Sequence, residues 1–141
     1  MATCISRSPE ETLRLGEAWA REAAPGWVFA LDGELGTGKT LLAQGLARGL
    51  GVTEQVTSPT FTLVHEHTGG RLPLCHLDFY RLDDDAQILA AGLEPYLTPQ
   101  GVTIVEWMDR WRGPRPARGR HARLIDLGTT ERRIEYEDFG A

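Results

Sequence analysis

The residues best suited to chemistry lie together at 33–40, with the sequence Gly-Glu-Leu-Gly-Thr-Gly-Lys-Thr, which matches G-x-x-x-x-G-K-[ST] at every defined position. Glycines let the backbone turn its N–H groups inward and approach an anion closely. Lys39 would then contact the outer phosphates of a nucleotide, and the hydroxyl of Thr40 would hold Mg²⁺. Lys39 is also the only lysine among the 15 lysines and arginines of the chain. The segment therefore predicts a cradle for a nucleoside triphosphate.

The base of that nucleotide is predicted to be adenine. GTP-binding proteins of this class usually recognise guanine through an Asn/Thr-Lys-x-Asp motif, and this chain has no second lysine to supply it. They also use an Asp-x-x-Gly turn, whereas Arg81 stands where that glycine would follow Asp78. We therefore expect ATP with Mg²⁺.

Two carboxylates are candidates for organising the metal ion. Asp78 and Glu106 each follow an apolar run that is typical of a buried strand, and ligands bind at the carboxyl ends of strands in open α/β sheets. Spacing alone leaves open which of the two is the direct ligand. His76 lies on the same strand face as Asp78, and a hydrogen-bonded core histidine is an equally good interpretation.

A short loop at Ser58-Pro59-Thr60 lies where NTPases place the segment that senses the γ-phosphate. Thr60 could reach Mg²⁺ or the attacking water. A turn fixed by Pro59 explains the same residues equally well.

The elements that position these residues alternate between helix and strand. Ser8, Pro9 and Glu11 are typical of a helix start, and Gly51 stops the helix that begins near Lys39. We predict helices from Pro9, from near Lys39 and over 86–91, and strands over 27–32, 61–66, 74–80, 102–106, 124–127 and 132–136. This order predicts a P-loop NTPase-like, three-layer α/β/α fold, with a mostly parallel sheet and a C-terminal antiparallel hairpin.

Length, charge and cysteine content limit the class of protein. The 141 residues predict one domain, 1–141, and no apolar run is long enough to cross a membrane. The net charge of −5 argues against a surface that grips nucleic acid throughout. Two cysteines outside any ligand pattern indicate free thiols in a reducing compartment, so we expect a cytoplasmic protein.

One segment has no role in this scheme. Residues 110–123 contain six arginines with proline and glycine, a composition typical of an exposed loop. These arginines could contact RNA phosphate, close over a nucleotide or be solvated, and solvation is the default.

Four motifs in order resemble the TsaE (YjeE) family, over nearly the whole chain. They are Gly-Glu-Leu-Gly-Thr-Gly-Lys-Thr at 33–40, Thr-Ser-Pro-Thr-Phe-Thr-Leu at 57–63, His-Leu-Asp-Phe-Tyr-Arg-Leu at 76–82 and Val-Glu-Trp at 105–107. The resemblance implies an ATPase needed for threonylcarbamoyl modification of adenosine 37 in tRNA, acting with TsaB and TsaD. It implies contact with tRNA only indirectly or through that complex. The 110–123 segment matches no family motif.

The resemblance also implies individual roles. Thr40 and Glu106 would ligate Mg²⁺, Asp78 would be an accompanying or catalytic acid, and the regions 9–12 and 131–132 would lie near the base. The expected catalytic residues are Lys39, Thr60, Asp78 and Glu106. The expected nucleotide contacts are Gly33, Glu34, Leu35, Gly36, Thr37, Gly38, Lys39, Thr40, Leu41 and Arg132.

Two other functions use the same cradle. A small-molecule kinase could use residues 110–123 as a lid over its acceptor. A non-catalytic protein could sense ATP without hydrolysing it.

Overall fold

The computed structural model describes residues 2–34, 37–57 and 63–140, and its centre is one seven-stranded sheet. The strands are β1 (Ala2–Ser6), β2 (Trp27–Gly33), β3 (Val64–His67), β4 (Leu74–Asp78), β5 (Val102–Glu106), β6 (Arg118–Gly128) and β7 (Glu131–Phe139). The helices are α1 (Pro9–Glu22), α2 (Lys39–Gly49) and α3 (Asp85–Ala90), with 3₁₀ turns at Glu94–Leu97 and Met108–Arg110.

The sheet has the order β1-β7-β6-β2-β5-β4-β3. The four central strands, β6, β2, β5 and β4, pair in parallel, while β3, β7 and β1 pair antiparallel at the two edges. The predicted α/β fold and C-terminal hairpin are therefore confirmed. Because the four central strands run parallel, their carboxyl ends lie at the same edge of the sheet.

Alternation along the strands divides the core between the two faces of the sheet. Phe29, Leu31 and Ile104 pack with α1 and α2, whereas Val28 and Val105 pack in a second cluster with residues of α3 and the following turns. This alternation follows from the two-residue period of a strand. Continuing it places Glu106 on the α2 face and Asp32 on the other, so the two acids serve different surroundings.

The first two helices begin as their sequences predict. The Ser8 hydroxyl accepts a hydrogen bond from the backbone N–H of Glu11, and the Glu11 carboxylate accepts one from the N–H of Arg7, one residue before the expected position. Helix α2 starts at Lys39, directly after Gly38.

The strand expected over 74–80 ends at Asp78, and residues 61–62 of the strand expected over 61–66 lie outside the described residues. The structure differs more strongly from the sequence prediction at β1 and at residues 118–123. The sequence alone does not predict strand β1, because a five-residue, mostly exposed strand is stabilised by pairing with β7 rather than by its own pattern. The prediction of an exposed loop over 110–123 is wrong for 118–123, which forms the first half of β6 between β2 and β7. A strand paired on both sides cannot move as a lid, which removes that part of the kinase hypothesis.

Arg120 explains why this arginine-rich strand can be internal. It is 5% exposed, donates hydrogen bonds to the carboxylates of Glu22 and Asp138, and lies 5.0 Å from the Trp19 ring centroid. The tryptophan at 27 and the tyrosine at 136 also face its guanidinium, at 5.9 and 5.0 Å. The hydrogen bonds to the two carboxylates raise the pKa of Arg120 despite its burial. This side chain is therefore part of the core.

Two further sequence expectations concern compartment. Within the part of the chain that the structure describes, no helix is both long and apolar enough to cross a membrane. Cys4 and Cys75 are both free thiols.

Candidate active site

The turn after β2 is closed tightly against the neighbouring strand. Gly33 has φ +144°, and a Cβ atom at this position would lie 2.5 Å from the carbonyl oxygen of Leu124 and 2.9 Å from Oγ1 of Thr37. The Thr37 hydroxyl donates to the Glu34 carbonyl at 2.8 Å. Only glycine fits this backbone: it adopts the positive φ without strain, and its missing side chain lets β6 approach closely.

Helix α2 then begins with its N–H groups available. Its N-cap, Gly38, has the left-handed conformation with φ 96°, and no side chain among the described residues caps the helix. The first N–H groups of a helix have no partner within it and carry the positive end of its dipole. An anion is therefore favoured at this end of α2.

Lys39 lies inside this turn rather than in solvent. It is 5% exposed, and its Nζ donates hydrogen bonds to the carbonyl oxygens of Gly33 at 2.5 Å and Glu34 at 2.8 Å. Burial lowers the pKa of Lys39, while the negative charges of Glu106, Asp78, Asp32 and Glu34 oppose that shift. The ammonium group is thus a partly desolvated cation, held where an incoming phosphate would meet it.

The carboxylates meet Thr40 at the ends of the adjacent strands. Asp78 and Glu106 are cross-strand neighbours in the parallel β4–β5 pair, and both are nearly fully buried, at 2% and 3% exposed. Oγ1 of Thr40 donates to Oε1 of Glu106 at 3.4 Å. Asp78 accepts a hydrogen bond from the backbone N–H of Tyr80 at 2.8 Å. Of the two acids, Glu106 is the one that is hydrogen-bonded to Thr40.

Trp107, the last residue of the Val-Glu-Trp motif at 105–107, lies against the lysine of the site. Its backbone has φ 62°, its N–H donates to the Leu31 carbonyl, and its ring centroid lies 4.4 Å from Nζ of Lys39. The Tyr80 ring and the Arg110 guanidinium also contact it, at 4.9 and 5.3 Å. Trp107 therefore forms one wall of the lysine site through a cation–π contact. Two features of the sequence point to it: its place directly after a strand-end acid and its membership of the motif at 105–107.

Asp32 and His121 form a partly buried contact that the sequence did not reveal, on the face of the sheet opposite to Glu106. Asp32 is 2% exposed, and its carboxylate contacts Nε2 of His121 at 2.6 Å and accepts a hydrogen bond from the N–H of Asp109 at 3.2 Å. It links the end of β2 to β6 and to the turn after Trp107. Two residues that are 89 positions apart in sequence carry no local signal for such a contact.

The remaining predicted site residues have mixed outcomes. Leu35, Gly36 and Thr60 lie outside the described residues. Leu41 is half-buried in the first turn of α2. Arg132 begins β7 at the same edge of the sheet, two strands from β2, and its guanidinium donates to Asp126 at 3.1 Å and to nearby carbonyl oxygens.

The donor set is suited to magnesium and not to a softer metal. No cluster of three or more His, Cys, Asp or Glu side chains that could hold a metal occurs within 2–34, 37–57 and 63–140. Mg²⁺ needs no such cluster, because it is typically held by one or two protein oxygens together with phosphate and water. The facing oxygens of Thr40 and Glu106, beside a cradle that a Cβ would fill, fit that requirement.

Comparison with known proteins agrees with the motif order. Residues 6–134 match the family model described as "Threonylcarbamoyl adenosine biosynthesis protein TsaE". A tRNA threonylcarbamoyladenosine biosynthesis protein TsaE from Bacillus subtilis (strain 168) is 41% identical over 133 residues, which cover 94% of this chain and 83% of the relative. The protein of that name from Treponema pallidum (strain Nichols) is 42% identical over 107 residues, with 76% and 78% covered. The crystal structure of Bacillus subtilis YdiB superposes with a TM-score of 0.82 at 34% identity and covers 99% of this chain and 86% of that one.

Proposed function

Because the chain belongs to the TsaE family of tRNA threonylcarbamoyladenosine biosynthesis proteins, we propose that it is the magnesium-dependent ATPase that serves this modification. ATP binds at the turn between β2 and α2, and its hydrolysis drives a complex with TsaB and TsaD homologues that modifies adenosine 37. The proposal places the protein in the cytoplasm, with tRNA contacted indirectly or through that complex.

One observation carries the proposal. Lys39 and Thr40 begin α2, and Asp78 and Glu106 end β4 and β5 as register partners; Thr40 is hydrogen-bonded to Glu106, and the negative charges of both acids act on Lys39. A buried cation, a hydroxyl and two buried carboxylates are expensive to desolvate together, and a bound Mg-nucleotide supplies the complementary charges.

Each residue has a distinct task in hydrolysis. The α2 N-terminus and Lys39 bind and orient the phosphates, so that the γ-phosphoryl group faces water in line. Thr40 and Glu106 hold Mg²⁺, which would neutralise charge on the phosphate oxygens. Asp78 orders water near Glu106, and Trp107 excludes bulk water from the lysine. No described side chain is dedicated to activating the attacking water, so we expect slow turnover by the isolated chain.

Binding is tested by thermal unfolding with and without Mg-ATP. Nucleotide at a hundredfold over its Kd should stabilise the protein by about 2.7 kcal/mol, which raises the melting temperature by roughly 5–15 °C. Lys39→Met should lose most of this shift. Arg48→Met removes an exposed cation of the same helix and should keep the shift, since Arg48 lies at the far end of α2, where it pairs with Glu17 of α1. Equal shifts in the two variants would reject the site.

The biological role needs a separate test. Phosphate release should increase when TsaB and TsaD homologues are added and should not respond to a panel of small acceptors. Depletion of the protein should lower threonylcarbamoyladenosine in tRNA, and complementation with the parent but not with Lys39→Met should restore it. Normal nucleoside levels after depletion would refute the role, even if ATP binding holds.

A further inference from the structure

His76 is buried beside the active site and makes a polar contact with Glu106. Its Nε2 lies 2.6 Å from Oε2 of Glu106, and the two side chains are 0% and 3% exposed. The other ring nitrogen, Nδ1, is buried and has no hydrogen-bond partner among the residues described. The contact with Glu106 is therefore the polar interaction that orients this ring.

The two oxygens of the Glu106 carboxylate have different hydrogen-bond partners. Oε2 accepts from His76, and Oε1 accepts from Thr40. An ionised carboxylate can only accept, so Nε2 must carry the hydrogen of this bond. Binding one oxygen fixes the terminal torsion of the side chain, which is otherwise broad for a glutamate. The oxygen that remains is then held on the side of Thr40.

Packing alone does not explain a histidine at position 76, because its unpaired ring nitrogen costs free energy. The neighbouring position on the same face of β4, Leu74, is buried in the main apolar cluster, and an apolar residue at 76 would continue it. A buried nitrogen without a partner costs about 1–3 kcal/mol, which a leucine would avoid. The histidine offers a hydrogen bond that packing does not require, and within the part of the chain that the structure describes this bond goes to Glu106.

We propose that His76 is a positioning residue for the metal site: it holds the Glu106 carboxylate in the orientation in which Oε1 and the Thr40 hydroxyl bind Mg²⁺ together. This inference rests on the proposed function, because it assigns Glu106 and Thr40 to the metal. Residues that orient a ligand through its second atom commonly change metal affinity by about 10- to 100-fold when they are removed.

Three substitutions separate positioning from packing. In His76→Gln the side-chain amide nitrogen reaches about as far as Nε2, so a donor to Glu106 is retained. In His76→Asn the nitrogen reaches only about as far as Nδ1, so the donor is lost while the chemical group stays the same. His76→Leu removes all polarity and fills the space with an apolar side chain.

The measurement is stabilisation by a non-hydrolysable ATP analogue while Mg²⁺ is titrated, together with binding of the same analogue in excess EDTA. The Mg²⁺ midpoint should rise about 10-fold in the leucine and asparagine variants and return to within about threefold of the parent in the glutamine variant. Analogue binding in EDTA should be the same in all four proteins, because Lys39 and the α2 N-terminus do not depend on His76. Urea unfolding without nucleotide should show the leucine variant less stable than the parent, because Oε2 of Glu106 is left buried without its donor, so all four midpoints are measured at temperatures where each variant is folded.

The negative results of this experiment can be told apart. Midpoints within twofold of the parent in both the leucine and asparagine variants would overturn the inference while leaving the proposed function intact. A parent protein that neither binds the analogue nor responds to Mg²⁺ would refute the proposed function and the inference with it. If the asparagine variant does not fold, the leucine and glutamine variants decide, and equal midpoints in those two would overturn the assignment.

Discussion

Replacing Gly33 by alanine should damage the active site through the backbone rather than through any lost contact. The added Cβ would lie 2.5 Å from the Leu124 carbonyl oxygen and 2.9 Å from Oγ1 of Thr37. The first of these atoms belongs to the backbone of β6, which is held by β2 on one side and β7 on the other, so it cannot move away alone. Relief therefore requires the start of the turn to shift.

The expected magnitude has two parts. A side chain in a sparsely populated backbone region costs about 1–3 kcal/mol. Forcing a methyl group into closely packed atoms adds typically about 1–3 kcal/mol. Gly33→Ala should therefore lower the free energy of unfolding by roughly 2–6 kcal/mol, with partial relaxation favouring the lower half of that interval.

Gly26→Ala is the matched control. Gly26 also has a positive φ, +95°, yet apart from its two chain neighbours no described residue has an atom within 4 Å of the position where its Cβ would be. It should show only the conformational part, about 1–2 kcal/mol. Urea unfolding at constant m-value measures the difference, and Mg-ATP titration should show a lost thermal shift in the Gly33 variant alone. The reasoning is refuted if the two variants differ by less than about 0.5 kcal/mol, which is the usual scatter between independent sites.

Further predictions concern the core, the first helix and the thiols. Arg120→Met should destabilise the fold by about 1–3 kcal/mol, mostly through lost aromatic packing because its carboxylate partners are half exposed, whereas exposed Arg118→Met should stay within about 0.5 kcal/mol in the same urea assay. Ser8→Ala should cost about 1 kcal/mol by removing the N-cap hydrogen bond, and a helix start that does not depend on this hydroxyl would leave stability unchanged. Burial raises the pKa of Cys4 and Cys75, so Ellman's reagent near pH 8 should modify both at least about fivefold more slowly than free cysteine. Because the pKa of each thiol is higher in the folded state than in the unfolded state, the thiols contribute stability that is fully present below the unfolded-state pKa. This contribution should be lost as the pH rises through the folded-state pKa. A free energy of unfolding that increases over that pH interval would contradict the prediction.

Local patterns in the sequence determined the parts of the site that depend on nearest neighbours in the chain. The glycine turn, the helix that starts at Lys39 and the strands that end at Asp78 and Glu106 all follow from dihedral preference and periodicity within a few residues. The motif order was also sufficient to predict the family, which the comparisons confirm. These properties are visible without knowing which strand lies beside which.

Only the tertiary structure decided what those residues face. Strand register brought Asp78 opposite Glu106, and strand direction put Glu106 on the α2 side, where it meets Thr40 and His76. The same register buried Arg120 in a segment whose composition predicted a loop. Partners far apart in sequence are chosen by the pairing of whole strands, whose free energy is shared over many residues, so no single local pattern records that choice.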